Sequence, residues 1–313
     1  EAEELYRQVL KSTMQHPGPR DPGVLTTMNN FALVLQTQGK FDESEAMQRQ
    51  TLQTRQEVLG EEHPDTLINM SNLSTLLIER RKLDEAEKLL QRVVDIESRT
   101  LGLENPATLT ATNNLAKVIQ DLGRFAEAEK LFKRALEGRQ KLFGPEHAMT
   151  LMSEANLGAL YSTMGRMSEA TGLLRKILAT RIRTLGENHF DTIVSMNNLA
   201  LLFQKDRNYE DAAKLFEQAC NNAAKSLQSG HYLIGLLRGN YGRCLLPLGK
   251  RAEAEAQLLE SCANLSAAFG DSDPRTLQNI RSLIDLYEKS DRQTLAAQWR
   301  AKLPATSQPA KTS

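Results

Sequence analysis

Apolar residues recur along this chain at the spacing of a single helix face, interrupted at regular intervals by charged, glycine-containing turns. In TATNNLAKVIQDLG, residues 110–123, Leu115, Val118, Ile119 and Leu122 fall at steps of three and four. In AEAEKLFKRALEGRQKLFG, residues 126–144, Ala128, Leu131, Phe132, Ala135 and Leu136 do the same. That period predicts two amphipathic helices, each apolar along one stripe. Neither helix can bury its stripe alone, so the pattern predicts a packed pair that in turn needs neighbouring pairs.

The pair is written many times over. The cassette LGEEHPDTL at 59–67 returns as LGLENPATL at 101–109, FGPEHAMTL at 143–151, LGENHFDTI at 185–193 and FGDSDPRTL at 269–277. Its glycines Gly60, Gly102, Gly144 and Gly186 stand 42 residues apart, and Gly270 follows at twice that interval. A turn signature keeps the same period: GKFDES at 39–44, RKLDEA at 81–86, GRFAEA at 123–128, GRMSEA at 165–170, RNYEDA at 207–212, GKRAEA at 249–254 and, weakly, DRQTLA at 291–296. One helix lies between cassette and turn, another between turn and next cassette. The chain therefore predicts seven helix pairs and no strands. An orphan second helix at 1–14 comes first, then units at 22–63, 64–105, 106–147, 148–189, 190–231 and 232–273, a shortened capping unit at 274–303, and a disordered tail at 304–313.

Such a period alone also fits HEAT and armadillo arrays. The pattern inside the unit discriminates. A small residue recurs in the middle of the first helix (Ala32, Ser74, Ala116, Gly158, Ala200, Gly242) and another early in the second (Ser44, Ala86, Ala128, Ala170, Ala212, Ala254, Ala296), so paired helices can approach closely. With Gly-x-aromatic-x-Glu-Ala at the turn, this resembles the tetratricopeptide repeat; the long form carrying LG-E-HP-DT and NNLA is similar to the kinesin light chain class, over essentially residues 1–303. The resemblance implies an all-α, right-handed α-solenoid (superhelix) of tandem helix-turn-helix repeats. It also implies a protein–protein interaction scaffold or adaptor, not an enzyme.

The cassette has its own physical reading. Pro22, Pro64, Pro106 and Pro274 fit the first helical position, where a missing N–H costs nothing. The residue before is then the N-cap: Asp21, His63, Asn105, His147, His189, His231, Asp273. Four of the five histidines occupy this one position. Equivalent residues of adjacent units stand on the order of 10 Å apart, too far to share a zinc ion with bonds of about 2 Å, and Asp and Asn are what a capping acceptor tolerates. No metal site is expected. Gly39, Gly123, Gly165 and Gly249 read as left-handed residues closing the first helix; Arg81, Arg207 and Asp291 depart from this, with Asn208 as the substitute one residue after Arg207.

Function has to occupy positions that the fold leaves unexplained. Asn30, Asn72, Asn114, Asn156, Asn198 and Asn240 stand in register immediately before the core leucine or its equivalent in each first helix, the register breaking only at Ser282. Asn is a mediocre helix former, so six at one position require a cause. In tetratricopeptide arrays, the resemblance implies, this position faces the concave groove and its carboxamide holds the backbone of an extended peptide. A carboxamide can both donate to and accept from a peptide unit. The alternative is that these amides bond neighbouring helices, and one residue can do both. Asn113 and Asn197 lie one residue before on the same face, Lys117 and Arg243 three after, and Gln120 six after. Steps on the order of 10 Å against roughly 3.3 Å per extended residue give one Asn for about every three ligand residues. Basic residues gather in later units (Lys205, Arg238, Arg243, Arg281) while Glu79 and Asp121 lie earlier, which favours a ligand acidic at one end.

Composition narrows the partners. The 39 basic and 39 acidic residues leave no basic surplus for neutralising phosphates, so nucleic acid is not expected. Charge interrupts every apolar run, no signal peptide opens the chain, and a cytoplasmic protein without membrane contact is expected. Cys220, Cys244 and Cys262 have neither disulfide nor zinc spacing and read as small buried residues. No phosphate loop, HExxH or Gly-x-Ser-x-Gly is present, so neither catalysis nor a cofactor is expected. The sixth unit is expected to be irregular and soft: its entry LQSGHYLIG lacks the proline, Gly235, Gly239 and Gly242 interrupt its first helix, and Pro247 falls near that helix's end.

The ends bear on context. EAEELYRQVL at 1–10 aligns with EAEKLLQRVV at 85–94, so the chain opens inside a unit, as in a fragment or a chain with another repeat or domain before it. LAAQWRAKLP at 295–304 looks like a cap and resembles the end of arrays that follow protein kinase modules in some bacteria. Two function classes follow: an adaptor holding an extended client segment in the groove, or a regulatory or self-association array attached to a catalytic module absent from this chain (a bacterial Ser/Thr kinase or an NTPase) and docking to it intramolecularly.

Overall fold

The structure, a computed structural model, describes residues 2–304. It consists of fifteen helices, with no strand among the described residues. They are α1 (Ala2–Thr13), α2 (Pro22–Thr37), α3 (Phe41–Leu59), α4 (Pro64–Glu79), α5 (Leu83–Thr100), α6 (Pro106–Asp121), α7 (Phe125–Phe143) and α8 (Ala148–Thr163). There follow α9 (Met167–Leu185), α10 (Phe190–Lys205), α11 (Tyr209–Ser226), α12 (Tyr232–Leu245), α13 (Arg251–Phe269), α14 (Pro274–Glu288) and α15 (Gln293–Arg300). This is the α-solenoid class of tandem helix-turn-helix repeats, with even-numbered helices as first helices and odd-numbered ones as second. Of the tail expected at 304–313, all but Pro304 lies outside the described residues.

Helix entry is set by the cassette. At all seven first helices the expected cap accepts a backbone N–H two residues on, through the carboxylate of Asp21 and Asp273, the amide oxygen of Asn105, and Nδ1 of His63, His147, His189 and His231, each histidine at 3.2 Å. A second lock sits three residues beyond: Thr66, Thr108 and Thr150 each donate a side-chain hydrogen bond to the carbonyl of the cassette glycine, Gly60, Gly102 and Gly144. At the other end of the first helix Gly39, Gly123, Gly165 and Gly249 have φ between +72° and +80°. The expectation for the departing turns is corrected: Arg81, Arg207 and Asp291 themselves take φ of 59°, 62° and 57°. Asn208 has φ −83° and instead caps α11, accepting from the Asp211 N–H. A single left-handed residue costs a non-glycine side chain only modestly, about 1–2 kcal/mol, so the turn geometry overrides the residue type.

The chain divides into two compact units, residues 1–160 and 161–313. At the start of the first, α1 lays Tyr6 parallel to Phe31 with ring centroids 5.5 Å apart, and Leu10 joins Val24, Leu25, Met28 and Leu35. In the second, Phe216, Ala212 and Ala219 of α11 pack with Leu199, Phe203, Leu237 and Leu245, and Trp299 of α15 closes on Leu283, Ile284 and Tyr287. The small residues expected at the helix contacts are buried outright: Ala32, Ser74, Ala116, Ala86, Ala128, Ala170, Ala212 and Ala254 have no exposed surface.

Cys220, Cys244 and Cys262 are buried and unpaired, with burial pushing their thiols up to about 12, 11 and 11. Among the described residues no helix is long and apolar enough to cross a membrane.

Candidate functional site

The register asparagines separate into two kinds. Asn72 Nδ2 donates to Asn29 Oδ1 at 3.1 Å, Asn156 to Asn113 at 3.0 Å and Asn240 to Asn197 at 2.8 Å, each bond linking a first helix to the first helix one unit before. Those three are braces between α2 and α4, α6 and α8, and α10 and α12. Asn30 only accepts a long bond from its neighbour Asn29, 3.4 Å. Asn114 and Asn198 make no side-chain hydrogen bond among the described residues; Asn114 is half-buried and Asn198 exposed. The cause is the preceding residue. Asn29, Asn113 and Asn197 supply an acceptor in alternate units, where Ser71, Ala155 and Gly239 stand in the others. The array thus has a chemical period of two repeats, visible in the sequence as NN dipeptides 84 residues apart at 29–30, 113–114 and 197–198.

Asn114 faces a cavity. Between α4 and α6 lies an open hollow of about 470 Å³ lined by Asn72, Thr75, Glu97, Thr110, Ala111 and Asn114 among others. Lys117, one turn along from Asn114, is exposed and pairs with Asp121 at 3.0 Å, and Gln120 is half-buried on the same helix. In the second unit the cations expected to greet an acidic ligand are partly consumed by the fold. Arg243 donates to Asn240 and Asn279, staples α12 to α14, and is pushed below its ordinary pKa by burial. Arg238 reaches back to Gln257 and Glu260 of α13, and Lys205 donates to the Ser162 carbonyl. Arg281 is exposed. A second hollow of about 390 Å³, between α12 and α14, is lined by Arg243, Arg251, Lys289 and Asp285.

The charge pattern that sequence reasoning missed lies on the second helices. Arg55, Arg139 and Arg181 share one repeat position, the first two separated by two repeats and the last two by one. Each donates Nη1 to the carbonyl of the second residue of the next first helix: Asp65 at 2.7 Å, Met149 at 3.3 Å, Asp191 at 2.9 Å. Hydroxyls complete the set, Thr26 for Arg55, Thr110 and Ser153 for Arg139, Ser195 for Arg181. Arg139 is wholly buried and Arg55 nearly so, and burial lowers the pKa of both guanidiniums. In the same position α5 carries Glu97. Aligning the second helices by position exposes this inversion; scanning for stripes of apolar residues does not.

The tetratricopeptide repeat family model matches residues 1–53, 23–99, 107–182 and 156–225, and a second model of the same repeat matches 71–142. The chain belongs to the tetratricopeptide repeat family. Among solved structures, this tetratricopeptide array is similar to a putative kinesin light chain with nearly identical TPR-like repeats from Podosopora anserina. That structure is 28% identical, with a TM-score of 0.56 over 66% of this chain and 98% of the other. BtubC (BKLC) from P. vanneervenii, 22% identical with TM-score 0.58 over 72% and 89%, shares the fold. So does a signal transduction ATPase with a tetratricopeptide sensor from Pyrococcus horikoshii, 16% identical with TM-score 0.65 over 95% of this chain and 44% of that one. No curated protein matches. The repeats are of the kinesin light chain-like kind, and the fold is one of protein–protein interaction, whose members are typically non-catalytic.

Proposed function

We propose that the chain is an adaptor that holds an extended segment of a client protein along its first helices, with Asn114 and Asn198 gripping the peptide backbone. The observation that carries this reading is the contrast within the register. Asn156 and Asn240 spend their amides on a neighbouring helix, whereas Asn114, one unit away from Asn156, lines an open hollow with donor and acceptor both unspent. A helix gains nothing locally from an unbonded Asn, and a peptide group is the complementary partner for a carboxamide. Each compact unit carries its own stretch of this face. In the later hairpins Arg251 and Arg281 can meet an acidic residue of the ligand, which gives the segment a preferred direction. Location in the cytoplasm is part of the same reading.

The test is a selection of extended peptides from a random display library on the immobilised chain, followed by mapping of the selected peptide through the side-chain amide resonances of the asparagines. Displacement of the Asn114 and Asn198 resonances, with those of Asn156 and Asn240 nearly still, is the expected result. Perturbation confined to residues of the second helices would defeat it.

A further inference from the structure

We propose that the hollow between α4 and α6 is a receptor for an arginine side chain of the bound peptide, with Glu97 as its counter-charge. This rests on the reading above, since it assumes a peptide lying along the first helices. Neighbouring repeats show what this position is built for. In three of them a buried or half-buried arginine from the second helix is met by a carbonyl and at least one hydroxyl; Arg55 and Arg139 bond both flanking first helices, and Arg181 bonds α10 alone. In the second repeat the arginine and both hydroxyl positions change together. Glu97 replaces the arginine, Ile68 replaces the hydroxyl of Thr26 and Thr110, and Ala111 replaces that of Ser153 and Ser195. The guanidinium and its hydroxyls are gone, and the space they leave is the hollow, whose volume of about 470 Å³ falls within the range of ligand pockets, about 300–1,000 Å³.

Glu97 is the second, independent observation. It is 92% buried, from a relative exposure of 8%, and lines the hollow. Its carboxylate accepts no hydrogen bond and pairs with no cation among the described residues, and Oε2 is sealed from solvent. A buried carboxylate in that state is costly, and burial raises its pKa. The complementary ligand is a guanidinium, whose planar fork of donors matches a carboxylate bidentately. Apart from Glu97 the lining belongs to α4 and α6, with Asn72 and Asn114 half-buried in it and Ile68, Thr75, Pro106 and Ala107 exposed, so a peptide held along these first helices by its backbone could direct one side chain inward. The bound arginine would restore from outside the cation that the sister repeats supply from within.

Two probes test this, acetylarginine methylamide and the nonapeptide acetyl-Gly-Ser-Gly-Ser-Arg-Ser-Gly-Ser-Gly-amide, each against its citrulline counterpart, followed through the amide resonances of Ala107, Thr110 and Ala111. The arginine form of the small probe should bind at least about tenfold more tightly than the citrulline form, and Glu97→Gln should erase that difference. Glu97→Arg should occupy the hollow from inside, abolish binding and raise the melting temperature. No arginine preference in the parent, or a preference that survives in Glu97→Gln, overturns the receptor whatever the nonapeptide does. If the small probe binds through Glu97 but the nonapeptide binds no better than the small probe, the receptor stands and the backbone-gripping reading falls.

Discussion

Asn114 and Asn156 sit at the same repeat position and differ in what their neighbours offer. Asn156 finds Asn113, 6% exposed, on the helix one unit before; Asn114 finds Ser71 at the equivalent place in sequence. Asn156→Ala leaves the buried Asn113 carboxamide without its donor and should lower stability by about 1–3 kcal/mol, read as a shift of the urea midpoint at constant slope. Asn114→Ala should stay within about 0.5 kcal/mol of the parent. Glu97 carries a prediction with a definite sign. Its folded-state pKa is raised, so the fold favours the neutral form; the penalty is absent below the unfolded value, about 4.3, and grows as pH rises through the folded value. Glu97→Gln should therefore be more stable than the parent at pH 7, with the advantage shrinking towards pH 4. Equal gains at both pH values would show that charge burial is not the cause. At this scale the sequence displayed the register but concealed its alternation, because a side chain's partner depends on the residue before the aligned position in the unit before.

A helix carries constraints that its own composition misrepresents. Gly235, Gly239 and Gly242 mark α12 as weak, and α12 is short, 14 residues against 16 in α10, ending before Pro247 as the sequence suggests. The glycines nevertheless have a packing reason. A Cβ on Gly239 would come within 2.6 Å of the Asn279 side chain and 2.7 Å of Ser261 Oγ, and one on Gly242 within 2.8 Å of Leu258. Gly239→Ala should thus destabilise by about 1–3 kcal/mol through overpacking, although alanine is the better helix former by about 0.5–1 kcal/mol. Gly172→Ala in α9, with nothing within 4 Å of the added carbon, should instead stabilise by about that propensity difference. Thermal melts of the two variants separate the effects; stabilisation by Gly239→Ala would show that α13 and α14 do not enforce the glycine. Helix starts were legible because capping is local chemistry. The cause of the glycines was not, since it lies on helices some 20 and 40 residues away.

Across many repeats the array is tied by a charge ladder on its second helices. The basic residue of the turn reaches a glutamate one unit back: Lys40 to Glu3 at 2.7 Å, Lys82 to Glu45 at 2.7 Å, Arg124 to Glu87 at 2.6 Å and Arg292 to Glu255 at 2.5 Å. For Glu45 burial works upward, but hydrogen bonds from Lys82 and Arg49 outweigh it and hold the carboxyl below its ordinary value. At Glu255 the bond from Arg292 is the largest influence and acts in the same direction. A depressed folded pKa gives stability that is present above the unfolded value and lost as pH falls through the folded one. Acid should accordingly loosen the array below about pH 4.3, and high salt should reduce the contribution of these pairs, whose basic partners are exposed, at neutral pH. The repeat architecture was readable because each unit restates the same period. The candidate site was only half readable, because it arises where one repeat departs from its siblings. The central claim, that alternate asparagines are left for a ligand, is tested most directly by titrating a selected peptide into Asn114→Ala/Asn198→Ala. The account predicts binding weakened about five- to a hundredfold with the melting temperature unchanged; affinity equal to that of the parent would contradict it.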